Sequence, residues 1–183
     1  MIEFYLALTN DIEDKNKIMH IYTTYYSYMT YCASQIMTEN ASDVEDVVHD
    51  AMISIIDHLQ YIDFDNNKRI KSFCGVVARN KAIDYCRKNG KAAVPVEKIF
   101  EYNHDGDDPE TVVINKSLYE TVVRAIDSLD MIYRDVCILK YVNNLKEREI
   151  SDLLNIPIKT VNSRIYRVKH ILRQALREEG FHV

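Results

Sequence analysis

Val44, Val47, Val48, Ala51, Met52, Ile55, Ile56 and Leu59 keep helical spacing for four turns, so one continuous apolar stripe faces a core. The same period recurs along most of the 183 residues, and only 4 Gly and 3 Pro interrupt it. No segment sustains the alternation of a half-buried strand. Ser42, Asp43, Val44 and Glu45 have the form of a capping box, which sets the expected start of this helix. A second helix is expected over residues 17–37, rich in tyrosine. A third carries Phe73, Val76, Val77, Ala78, Ile83 and Cys86 before Asn89-Gly90 stops it.

From Lys91 to about Lys116 the period fails, and Val94-Pro95 and the stretch Asn103 to Pro109 are turn and breaker chemistry. Helices resume from Met131 to Val142, Glu147 to Leu154 and Ile158 to Glu178. The expected fold is therefore all-α. Two small helical domains, residues 1–90 and 117–183, are joined by a flexible linker over 91–116.

Composition removes several classes of function. No G-x-G-x-x-G or G-x-x-x-x-G-K segment is present to hold a nucleotide phosphate, so no cofactor is expected. The apolar runs are far shorter than the ~20 residues of a membrane span, and Met1-Ile2-Glu3-Phe4 lacks the basic flank of a signal peptide. A cytoplasmic chain without membrane contact is the expectation. Cys32, Cys74, Cys86 and Cys137 are widely spaced and stand apart from His20, His49 and His58. No metal site is expected, and each cysteine reads as a small buried apolar residue. Asp105, Asp107 and Asp108 lack the spaced ligands and closing Glu of a calcium loop. No nucleophile and base pair emerges, so no catalytic residue is assigned.

The net charge of −5 conceals strong segregation. Residues 1–67 carry 2 basic and 12 acidic side chains, whereas 68–91 carry 8 and 1. Residues 92–145 carry 5 and 10, and 146–183 carry 8 and 5. Blocks of opposite sign point to two kinds of partner, because cationic faces attract phosphate and anionic faces attract basic protein surfaces.

The stretch Leu145 to Leu176 has helix-turn-helix spacing. Ile150, Leu153 and Leu154 face inward, Asn155-Ile156-Pro157 makes the turn, and Val161, Ile165, Val168, Leu172, Ala175 and Leu176 form the next stripe. Opposite that stripe lie Lys159, Ser163, Tyr166, Arg167 and His170, flanked by Arg164 and Lys169. Between 159 and 177 there are six basic residues and no acid. Such a helix suits a major groove, where Arg reads guanine edges while neighbouring cations hold phosphates. Thr160 and Asn162 complete the candidate set for duplex contact.

Residues 145–176 resemble region 4 of bacterial sigma factors of the extracytoplasmic-function group, within the sigma-70 family of RNA polymerase specificity subunits. Asp43 to Met52 resembles the clamp-binding helix of their region 2, and Lys71-Ser72-Phe73 with Ala78 to Tyr85 resembles the promoter-reading helix that follows. The resemblance implies an RNA polymerase sigma factor, not an enzyme, with core RNA polymerase, promoter DNA and a cognate anti-sigma factor as partners. It implies core binding through Asp43, Glu45, Asp46, His49 and Asp50. It implies capture of the melted downstream element by Phe64, Lys71, Phe73, Arg79, Asn80, Lys81, Arg87 and Lys88, with Asn80 on a base edge, the cations along the strand and Phe64, Phe73 or Tyr85 as a stacking surface.

Several positions depart from the family pattern. Phe73 stands where Trp is frequent and Gly75 where a larger residue is usual. Asn162 replaces a Lys or Arg, which shifts the expected upstream preference because Asn reads adenine. Lys146 occupies a position that a Ser or Thr commonly caps. The competing reading is a stand-alone helix-turn-helix regulator, which would dimerise on paired half-sites and has no need of the acidic helix. A small all-α enzyme is the third, and it lacks any convergent polar pocket in the sequence.

Overall fold

The computed structural model describes residues 1–37, 41–90 and 116–180, in the last stretch with side chains from Leu118 onward. The described residues form helices and no strand: α1 (Ile2–Ala7), α2 (Ile12–Ser34), α3 (Ala41–Asp57), α4 (Asn67–Lys88), α5 (Lys116–Asp127), α6 (Met131–Cys137), α7 (Glu147–Leu153) and α8 (Ile158–Glu178). A single 3-10 turn (Leu59–Tyr61) follows α3, and a π-type turn (Ile138–Val142) continues α6. No described helix is long and apolar enough to cross a membrane.

Local chemistry explains the boundaries. The Asp11 carboxylate accepts from the Glu13 and Asp14 amides at 2.7 and 3.1 Å and starts α2. Asn66 does the same for α4 through the amides of Lys68 and Arg69 at 3.0 and 3.2 Å; a cap of this kind contributes about 1 kcal/mol. Helix α4 ends where Gly90 takes φ +64, a left-handed conformation that costs glycine nothing.

Some expectations need correction. Helix α3 already includes Ala41, so Ser42 lies inside its first turn and is not its cap. Helices α1 and α5 are additions to the elements expected from the sequence. Helix α1 is only six residues long and gives periodicity too little to act on. The linker expected over 91–116 lies outside the described residues except for Lys116, which opens α5.

Helices α2, α3 and α4 pack on one another through fully buried Ile18, Ile21, Met29, Val48, Met52, Ile55, Ile70 and Phe73. This cluster does not stop at α4. It continues through Val136, Leu139, Ile150 and Val161 of the C-terminal helices. A second, smaller cluster of Leu129, Cys137 and Val168 joins α6 to α8. Burying a side chain such as Leu139 or Ile150 contributes about 1.5–3 kcal/mol, so the two halves of the chain share a substantial apolar seam. Along this seam the π-type turn lies against α4.

Candidate functional site

The C-terminal site is built by the turn between α7 and α8. Asn155 takes φ 49 there, a conformation Asn tolerates better than most residues. The Ser151 hydroxyl donates to the Ile156 carbonyl at 2.6 Å and fixes the angle at which α8 leaves. Val161, Ile165 and Val168 are buried, and this anchoring turns the opposite face of α8 outward. Lys159, Asn162, Ser163, Tyr166, Arg167 and His170 are exposed, Tyr166 at 71%. Thr160 is half-buried. Arg164 is also half-buried and leans toward α6, where burial lowers its pKa while Tyr133 and Asp135 oppose that shift. An open groove beside the face is lined by Tyr166, His170, Arg173 and Gln174.

The acidic face lies on α3. Glu45, Asp46 and Asp50 are exposed and Asp43 is half-buried, because the apolar stripe occupies the other side of the helix. His49 is engaged: the Tyr5 hydroxyl lies 2.8 Å from its Nδ1, and the Phe4 ring is 5.4 Å away. Helix α1 thus borders the carboxylates with the exposed side chains of Met1 and Phe4.

The residues expected to meet a melted strand divide into two groups. Lys71, Arg87 and Lys88 are exposed, and Lys81 and Phe64 are half-buried. The Lys71 ammonium stands 4.9 Å from the centre of the Tyr28 ring, and Arg87 pairs with Asp84 at 2.9 Å. Phe73 and Arg79 are placed differently from the expectation. Phe73 is 0% exposed and fills the core between α2, α3 and α4, so it offers no stacking surface. Arg79 is 1% exposed, and its guanidinium holds the Asp135 carboxylate of α6, Nε donating at 3.2 Å and Nη2 to the same oxygen. Asn80 is half-buried and donates to the Leu154 carbonyl at 3.3 Å.

Two family models match the chain in this order: Sigma-70 region 2 over residues 21–92, and Sigma-70 region 4 over residues 119–172. The ECF RNA polymerase sigma factor SigW of Bacillus subtilis is 32% identical over 151 residues, covering 78% of this chain and 80% of that one. The chain belongs to the ECF sigma factors. The sigma-E factor of Escherichia coli K12 is 26% identical over 141 residues, 72% of this chain and 73% of its own. A sigma factor solved with an anti-sigma factor from Bartonella quintana aligns with 88% of this chain and 97% of its own, at 15% identity and a TM-score of 0.40.

In this ECF sigma factor the acidic face falls within the region 2 match and the basic face of α8 within the region 4 match. Sequence reasoning missed the groups that join the two regions: Asp135, which meets Arg79, and Asn143, which meets Arg69 and Ser72. Asp135 carried a readable signal, since it precedes the apolar run Val136 to Leu139 and any partner for it had to be cationic and buried. Its partner, 56 residues earlier, could not be found by spacing.

Proposed function

We propose that this RNA polymerase sigma factor docks on core polymerase through Asp43, Glu45, Asp46, His49 and Asp50, and lays α8 in the major groove of an upstream promoter element. The observation that carries the reading is the pairing of an open anionic face on α3 with an open cationic face on α8, both kept outward by buried apolar stripes. Anionic α3 complements a basic protein partner and repels stray nucleic acid. Cationic α8 holds phosphates through Lys159 and Lys169, and brings Arg167 and Asn162 to base edges.

Asn80, Lys81, Arg87, Lys88, Lys71 and Phe64 take the melted nontemplate strand of the downstream element. Residues 1–90 carry the polymerase and downstream-element surfaces and 117–183 the upstream-element surface. The protein works in the cytoplasm and performs no catalysis of its own; bond formation belongs to the polymerase. Family membership supports an anti-sigma factor as a further partner.

Run-off transcription with sigma-free core enzyme tests the reading. The expected result is promoter-specific transcript only when this chain is added. Absence of any such transcript on every candidate template overturns it.

A further inference from the structure

Helix α1 carries apolar side chains on both of its sides. Tyr5 is fully buried, and Ile2 and Leu6 pack beside it against the core. Met1, Phe4 and Leu8 stand at i, i+3 and i+7, which is one side of a helix, and they are 61%, 50% and 47% exposed. Glu3 is the one charged side chain from Met1 to Leu8. A helix that is apolar all round is normally buried, and no described residue covers this outward row.

Contacts with α3 and α2 fix where the row lies. The Tyr5 hydroxyl is hydrogen-bonded to His49 Nδ1 at 2.8 Å with the two rings 5.3 Å apart, and the Phe4 ring lies 5.4 Å from the same imidazole. The Tyr26 hydroxyl donates to the Met1 sulfur at 3.6 Å. Burial, then Tyr26 and Tyr22, then the Asp50 carboxylate raise the Tyr5 pKa; burial, then Tyr22, then Glu45 raise that of Tyr26. Both carboxylates therefore stand near the tyrosines that seat α1. The outward row continues the anionic face of α3 and meets it at His49.

We propose that Phe4 and Leu8, with Met1, form the apolar anchor of the polymerase-docking site, received by apolar side chains on a basic surface of core polymerase. The inference rests on the docking reading of α3 given above and adds the groups that hold the complex together. Charge complementarity identifies the occupant, because Glu45, Asp46 and Asp50 border the row, draw a cationic surface and repel a second copy of this face. Exposed ion pairs speed encounter but hold weakly, since water and salt screen them. Residence depends on the aromatic and aliphatic groups that a partner removes from water inside a polar rim. Phe4 is such a group, and the Tyr5–His49 hydrogen bond keeps it beside the carboxylates.

The test uses the full chain with Phe4→Ser and, separately, Leu8→Ser, neither of which removes a buried side chain. Circular dichroism establishes that each variant is folded. Surface plasmon resonance against immobilised core polymerase reads association and dissociation separately, with Asp46→Lys as the electrostatic reference. Analytical ultracentrifugation of the wild-type chain and both serine variants reads self-association.

Both serine variants are expected to leave core polymerase roughly tenfold faster or more, with association changed by less than about twofold. That difference should persist as salt is raised, whereas the association defect of Asp46→Lys should shrink. Unchanged dissociation in the folded serine variants overturns the anchor, and slow association of Asp46→Lys in the same experiment shows that the docking reading survives it. A dissociation difference that closes in salt also overturns the anchor. So does a wild-type dimer that the serine variants dissolve while their core binding stays intact. If the wild-type chain does not bind core polymerase at all, the docking reading itself falls and the anchor with it.

Discussion

The Asn80 amide donates to the Leu154 carbonyl at 3.3 Å across 74 residues of sequence, joining the middle of α4 to the end of α7. One hydrogen bond of this kind contributes about 1 kcal/mol, too little to hold two halves together. It matters because it follows a buried ion pair at Arg79 and the Asn143 contacts at Arg69 and Ser72 on the same helix.

The ion pair sets the largest single effect on stability. Removing one partner strands a buried charge, so Asp135→Ala is expected to cost about 3–5 kcal/mol in urea unfolding. The double substitution Arg79→Met with Asp135→Leu removes both charges and keeps volume, and should recover most of that loss. Equal losses in the single and double variants would mean that packing, and not the unpaired charge, causes the effect.

Gly75→Ala is expected to destabilise the chain by about 1–3 kcal/mol, the usual cost of added volume in a packed core. A methyl group there meets Tyr28 at 3.0 Å and Arg79 at 3.2 Å, tighter than ordinary contact, so these buried side chains must shift by a few tenths of an ångström. Combining it with Tyr28→Phe, which removes the nearest atom, should restore part of the loss. Independent effects in the double variant count against this account.

The four cysteines offer a direct readout of motion. All are buried, and burial pushes the Cys137 thiol up to about 11 and raises Cys32 and Cys74 as well. Native chain at pH 8 should label slowly with a thiol reagent, because the thiolate is the reactive form. In Asp135→Asn, Cys32 should accelerate before Cys137, since Arg79 covers the first and the α6–α8 cluster covers the second. Uniform acceleration measured by mass spectrometry would indicate global unfolding.

Arg167→Ala is expected to weaken upstream duplex binding by about 1–3 kcal/mol at particular base pairs, and Lys169→Ala more evenly across sequences. Gel shifts on a set of single-base variants separate the two. An even loss for Arg167→Ala would reassign it to a phosphate.

Asp46→Lys reverses an exposed charge on the anionic face of α3 without touching the core. It should slow association with core polymerase and leave duplex binding by α8 unchanged. Surface plasmon resonance against immobilised core checks the association rate, and a normal rate removes Asp46 from the docking surface.

Helices α2, α3, α4, α6, α7 and α8, their order and the outward faces of α3 and α8 were legible in the sequence, because a 3.6-residue period of apolar side chains fixes both the element and the side it buries; α1 and α5 were not. The turn at Asn155 to Pro157 was legible for the same local reason. What only the tertiary structure decided is the fate of α4. Its apolar and polar residues are mixed along a helix buried on several sides, so Arg79 and Asn80 carry no periodic signal of where they point, although Phe73 belongs to the apolar pattern. Asp135 decides that for Arg79 and Leu154 for Asn80, 56 and 74 residues away. Periodicity is a property of neighbours in sequence, whereas a buried charge can be placed only once its counter-charge has been brought beside it by folding.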